Sequence, residues 1–413
     1  MSVCFLMGGS PIQPGDAGFE DAISAAYAAK QRPLCLCQDP GIPMYIAAMD
    51  RHHIVKRMPN TGSQHSPDCT SFEPPAELSG FGEVAGAAII EDTDTGAVAL
   101  KLDFSLSKTV GRSAPMLAGR ESHTVRTEGA KLTLRALLHY LWEEAGLNSW
   151  SPAMEGKRSW YVVRRELLAA AATKSVKGHS LGDKLFVPEP FSLEHKQEIE
   201  RRRTEALAQL YAVGRRQELM LLIGEAKSVN PARYGFKVVV KHLPDMAFNL
   251  DDQTAHRMAK RFGDELALWN ADESTHLMMA ATFGVGPAGM MAVNEMSCML
   301  TSAAWLPIDG LHDQQLVCCL VREGRRFRRC LRYNLAADRP VAVAVATDTR
   351  PRPVAMYVVT PGVEDDYLTA LREMAQHSEF PAWFWHAGCE PCPALPAING
   401  FEAVNHPAMK GEA

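Results

Sequence analysis

The stretch PLCLCQDPGIPMYIAAMDRHHIVKRMPNTGSQHSPDC, residues 33–69, decides how the amino-terminal part of this chain is built. It opens on Cys35 and Cys37 and closes on His65 and Cys69. Two residues apart on an extended backbone, the first pair points to one side. The second pair, four residues apart on a loop or first helical turn, also shares a face. Between the pairs lie 27 residues, with apolar-rich runs at 44–48 and 54–58 and the polar turn MDRHH between them. That pattern spells a β-hairpin. A hairpin brings its open ends together, so Cys37 and His65 become neighbours. His52 and His53 sit at the turn, about 16 Å along the strands from that end, which argues against them as ligands. Three sulfurs and one imidazole in tetrahedral array suit a structural zinc ion with no position left for water. The plainer alternative is two buried thiols and a surface histidine. Segment 33–104 favours zinc, because it has few large apolar residues and a structural zinc contributes about 10–16 kcal/mol to such a fold. A second hairpin, EVAGAAII-EDTDTG-AVALKLDF, completes that segment around an acidic, Gly-ended turn.

Working outward, the chain has 413 residues, 46% hydrophobic and 22% charged, which describes a globular protein of two or three domains. Its net charge of −5 denies the whole molecule an electrostatic affinity for nucleic acid, so such contact needs a local basic patch. The start, MSVCFLMGGS, lacks the basic region and apolar length of a signal peptide, and no stretch nears the roughly 18 apolar residues of a membrane span. A reducing, cytoplasmic setting is expected for the ten cysteines, where Cys and His clusters favour metal over disulfides.

The run CLC…KRMPNTGSQHSPDC is followed by LRALLHYLWEEAGLNSWSP, LMLLIGEAK, VKHLPD and RRFRRCLRYN. Together, over nearly the whole chain, these resemble the bacterial family catalogued as domain of unknown function 1173. The resemblance implies a bacterial origin and a setting in integrative and plasmid-borne mobile elements. It lends no catalytic or binding residues, so the metal assignment rests on spacing.

The expected order is a lead segment (1–32), a zinc-binding β module (33–104), a linker (105–127), a helix-rich α/β region (128–250), a C-terminal α/β domain (251–400) and a tail (401–413). The fold class is mixed α/β. Helical period predicts helices over 131–145 and 159–173, and a long charged one over 192–216. The basic residues around the second helix suit either a helix-turn-helix-like reader or an ordinary solvated face, and the latter is the better reading. ELMLLIGEAK and FKVVVKHL read as strands, HLMMAATF as helix.

Three motifs hint at chemistry. Glu225-Ala-Lys227 at a strand end is half of a metal-dependent nuclease motif, but the upstream acid it requires is offered only by Asp183. Further on, a helix (311–322), a basic segment, PVAVAVATDT, PVAMYVV and a helix (364–376) follow the order of a restriction-endonuclease-like core, with Asp348 in the metal-binding position. Ala355-Met356-Tyr357 stands where such enzymes place an acid, any residue and a lysine, so this copy reads as degenerate. GVGPAG (284–289) matches a dinucleotide fingerprint without its βαβ context and reads as a turn; no nucleotide cofactor is expected.

REGRRFRRCLR (322–332) packs six arginines into eleven residues, and Arg325, Arg326, Arg328 and Arg329 are the candidates for phosphate contact. The alternative is one solvated face paired with acids. Cys389-Glu-Pro-Cys392 is half a metal site in a loop packed by Trp383 and Trp385. The sequence therefore points to a non-catalytic, zinc-containing accessory protein contacting nucleic acid or an element-encoded partner. A magnesium-dependent nuclease using Asp348, Glu225 or Lys227, and a pure interaction scaffold, remain as alternatives.

Overall fold

The computed structural model describes residues 4–49, 52–109, 129–211, 216–233, 235–286 and 289–400. These build the expected mixed α/β fold, with nine α-helices and five sheets among the described residues. The hairpin of residues 33–69 is present: Ile42–Met49 pairs antiparallel with His52–Arg57, Met44 opposite Arg57. Residues 50–51 of its turn lie outside the described residues. The sheet extends further than expected. Leu34–Cys35 pairs with Ile42 and Pro43 on one side and with strand Phe5–Met7 on the other, and Ser10–Ile12 forms the edge. Helix Phe19–Ala28 buries Ile23 and Ala26 in the same core as Phe5, Met7, Met44 and Cys35. The module thus begins well before residue 33. Three-residue strands carry too little alternation to be read one at a time.

The second hairpin pairs Ile89–Glu91 with Val98–Leu100. A parallel partner, Lys174–Val176, comes from beyond the helices Leu134–Glu144 and Trp160–Ala172. Both helices lie where the period placed them; Thr133 caps the first by accepting the Ala136 N–H, and Gly146 follows it at φ +66°. The charged helix is shorter than expected, Lys196–Leu207 followed by a 3₁₀ turn, Ala208–Tyr211. Part of the expected linker is strand, since Ser107–Thr109 pairs with Arg216–Glu218. Residues 110–127 and the tail lie outside the described residues.

The largest sheet closes on itself. Met220–Pro231 pairs with Phe236–Val240, which pairs with Ala247–Leu250, all antiparallel. Ala247–Leu250 runs parallel to Met291–Thr301, which pairs antiparallel with His276–Val285, which returns to Met220–Pro231. The result is a five-stranded barrel, with helices Asp252–Arg261 and Gly263–Ala271 between its third and fourth strands in chain order. HLMMAATF is therefore a strand, not the expected helix. Its residues are buried on both sides, Leu277, Met279 and Ala281 inward and Met278 and Ala280 against the helical layer. A strand covered on both faces reads as an unbroken apolar run, indistinguishable in period from a buried helix.

The C-terminal sheet runs Ala382–His386, Val354–Val359, Ala344–Ala346, Phe327–Arg329, Ser149–Trp150. With helix Leu311–Arg322 before it and Asp365–His377 between its last two, parallel strands, the expected order of elements is present. The divisions at 127/128 and 250/251 are crossed by shared structure: Lys174–Val176 pairs with Val98–Leu100 across the first, and Ser149–Trp150 in this sheet and the barrel itself both span the second.

Candidate metal centre

Cys35 ends a strand, Cys37 lies in the turn after it, and His65 and Cys69 bracket a tight turn in which the Cys69 N–H donates to the Ser66 carbonyl. The hairpin between them brings the two pairs together. Sγ of Cys35 lies 3.7 Å from Sγ of Cys69; Nδ1 of His65 lies 3.4 Å from Sγ of Cys37 and 3.7 Å from Sγ of Cys69. All four ligand atoms fall within 4.8 Å of one another. A tetrahedron with metal–sulfur bonds of about 2.3 Å has sulfur–sulfur edges of ~3.8 Å and sulfur–nitrogen edges of ~3.6 Å. The spacing is that of a coordination shell, and far from the ~2.05 Å of a disulfide. Cys35 and His65 are fully buried.

Packed this tightly, the thiols cannot all ionise alone. The hydrogen bond from Cys35 holds Cys69 down to about 4, and the same bond drives Cys35 far above the ordinary thiol range. Burial pushes Cys37 up. A bound cation stabilises the further thiolates. Backbone amides of Ser66 and Ser71 already point at the sulfurs of Cys37 and Cys69, 3.5 and 3.4 Å away. His65 Nε2 is buried with no partner among the described residues. The four residues form a cluster that could hold a metal ion, and no other group of three or more His, Cys, Asp or Glu ligands is found among the described residues.

The arginine run divides by strand alternation. Arg325 and Arg329 point inward and are 5% and 2% exposed. Arg325 forks onto both oxygens of Asp348 (3.0 and 2.8 Å) and donates to the Pro396 carbonyl. Arg329 pairs with Asp313 and donates to the carbonyls of Pro307 and Val343. Neither reaches a phosphate outside the protein, which corrects the expectation for these two. Arg326 and Arg328 point the other way, Arg326 onto the turn between the last two ligands and Arg328 onto the residue after Cys69. Arg326 pairs with Asp68, and Arg328 donates to the Thr70 carbonyl at 3.2 Å. Arg350 completes the grip, 2.7 Å from Asp68. Phe72, three residues past Cys69, stacks on Phe380 with 6.4 Å between ring centres. Neither Asp68 nor Arg350 carries a signal in the sequence, because their meeting depends on how two distant sheets dock.

The nuclease-type acids are likewise engaged. Asp348 has cationic company, not carboxylate company. Burial pushes its pKa up, but the Arg325 fork and the Arg326 amide outweigh burial and hold the carboxyl below its usual range. Glu225 is 3% exposed and bonds Lys241 and the His276 ring, whose Nδ1 is 2.7 Å away. Against burial, these partners keep it ionised. Trp305 lies flat on His276, 3.9 Å between centres. Lys227 is exposed, and it is the backbone carbonyl of Asp183, not its carboxylate, that accepts from the Gln209 amide. GVGPAG joins two barrel strands rather than a strand and a helix, with residues 287–288 outside the described residues. The Cys389–Cys392 loop is held by tryptophans as expected, Trp385 donating to Glu390 and Trp383 to Ala394.

A family model described as Protein of unknown function (DUF1173) matches residues 5–388. The chain belongs to that family. All four cluster residues and the arginine strand fall within the matched part of this DUF1173 protein. No curated protein and no solved structure matches it. Among the described residues, no helix is long and apolar enough to cross a membrane.

Proposed function

We propose that this protein is a non-catalytic accessory protein of a bacterial mobile element, cytoplasmic, holding one structural zinc ion and contacting nucleic acid. The Cys35, Cys37, His65 and Cys69 cluster carries the reading: three sulfurs and a nitrogen at tetrahedral spacing suit zinc and leave no position for a reacting water. The zinc supplies cohesion, not chemistry. Its ligand turn is gripped by Arg326 and Arg350 through Asp68, so the ion joins the first sheet to the last. The mobile-element setting rests on the family resemblance alone. Against a nuclease stands the engagement of Asp348 and Glu225 by the protein's own cations. Metal analysis of protein purified without chelator tests the reading: close to one zinc per chain is expected, and about none in Cys37→Ser. Stoichiometric zinc that survives loss of Cys37 unchanged, or no zinc at all, defeats it. Plasmid cleavage with Mg²⁺ that disappears in Asp348→Ala or Glu225→Ala defeats the non-catalytic part.

A further inference from the structure

The barrel of residues 220–301 has a connectivity that can be followed strand by strand. In chain order its strands are Met220–Pro231, Phe236–Val240, Ala247–Leu250, His276–Val285 and Met291–Thr301. Around the barrel they stand one, two, three, five, four, with four returning to one. The third and fifth are parallel, and a helical segment separates the third from the fourth. That arrangement is the Greek-key barrel of the OB type, whose second and third strands present their outer face to single-stranded nucleic acids or to oligosaccharides. Fold alone does not assign a ligand, so the chemistry of that face decides.

Inside, Val238, Val240, Phe248 and Leu250 fill the barrel. The alternate residues face out. On the second strand these are Lys237 and Val239; opposite them on the first stand Asn230 and Ser228, and on the third Asn249. Lys237 is exposed, as is Lys227 beside the bulge at Ala226/Ser228, and neither makes an ion pair among the described residues. From Ala226 to Leu243 the sequence carries Lys227, Arg233, Lys237 and Lys241 without a single carboxylate. In a chain of net charge −5, an outer strand face of Lys237, Val239, Asn230, Ser228 and Asn249, with no acid among them, is a local reversal of sign. Oligosaccharide faces need carboxylates and amides to accept sugar hydroxyls. Unpaired ammonium groups along adjoining strands suit a phosphodiester backbone.

We infer that the outer face of strands Met220–Pro231, Phe236–Val240 and Ala247–Leu250, with Lys227 and Lys237 as its phosphate contacts, binds single-stranded nucleic acid. The inference rests on the proposed contact with nucleic acid and gives it a surface other than the arginine strand. Asn230 and Asn249 stand opposite Lys237, held in place by their amide nitrogens, which donate to Ser228 Oγ and to the Met291 carbonyl.

Fluorescence anisotropy of the full-length, zinc-analysed protein with labelled oligothymidylate, the matching duplex and a labelled chito-oligosaccharide tests it. Saturable binding to the single strand is expected, tighter than to duplex, with none to the sugar. Lys237→Gln and Lys227→Gln should each lower the slope of log affinity against log salt by about 0.7, while Lys30→Gln, on the far amino-terminal module, leaves it unchanged. Because both lysines are exposed, loss of folding does not confuse the result; Asn249→Asp, which adds a repelling charge to the same face, should weaken binding several-fold. No binding to the single strand, preference for duplex or sugar, or affinity indifferent to all three substitutions overturns the inference. Metal content, measured on the same samples, reports separately on the zinc reading.

Discussion

His139 shows how a single side chain ties acidity to folding. It is buried in helix Leu134–Glu144, and its Nδ1 accepts the Tyr333 N–H at 3.0 Å, which fixes the neutral tautomer with the proton on Nε2. Desolvation, helped by Arg135, holds it down to about 3. The unfolded chain takes this proton near 6.5, so below that pH the unfolded state binds one more proton than the folded one. Stability is therefore lost as pH falls from about 6.5 towards 3, by up to about 1.4 kcal/mol per unit from this group. Urea midpoints across that range should fall less steeply in His139→Gln than in the parent protein; parallel curves would show that His139 is not the group responsible. Residue identity alone gave part of the metal cluster: the spacing of Cys35, Cys37, His65 and Cys69 together with a hairpin sufficed. It gave nothing of Asp68 or of the inward turn of Arg325 and Arg329. Six arginines in eleven residues look alike in sequence, and only the alternation about the strand, set by which face docks, separates those turned into the core from those turned onto the ligand turn.

At the scale of elements, the turn of the second hairpin is packed against the first. Gly96 has φ +75°, and a Cβ there would fall 2.3 Å from the Cβ of Ala47 and 3.2 Å from the Tyr45 ring. Asp92 organises the turn, its carboxylate accepting from the Asp94 amide and the Thr95 hydroxyl. Gly96→Ala should cost about 2–4 kcal/mol, from the left-handed backbone and the forced separation of the hairpins. Chemical denaturation measures it, and a loss below about 0.5 kcal/mol would mean the turns slide apart freely. The elements legible in sequence were those with a full amphipathic period, such as Leu134–Glu144, Leu311–Arg322 and Asp365–His377. Illegible were isolated short strands such as Phe5–Met7, Ser10–Ile12 and Ser149–Trp150, and the Met/Ala-rich His276–Val285. Its strand state is imposed by partners on both sides rather than by its own composition.

For the whole molecule, the metal cluster, the Asp68 grip and the stacked Phe72–Phe380 pair form one line of force from the first sheet to the last. Removing the ion with a strong chelator should therefore act on the junction before the barrel, whose interior is filled by fully buried residues such as Leu222, Val238, Phe248 and Leu277. Hydrogen exchange should accelerate first in residues 34–73 and around 326–328, with strands 276–285 and 291–301 still protected. Uniform acceleration throughout would show a single cooperative unit instead. Domain boundaries were hard to read because sheets recruit strands from far apart, as Ser149–Trp150 does beside Phe327–Arg329.

The grip on Asp68 comes from a residue 282 positions later. On a ribosome adding about 5–20 residues per second, the ligands of the amino-terminal cluster emerge roughly 15–55 s before Arg350 exists. During that interval the nascent turn carries its carboxylate uncovered, and any ion captured early must be retained without the carboxy-terminal buttress.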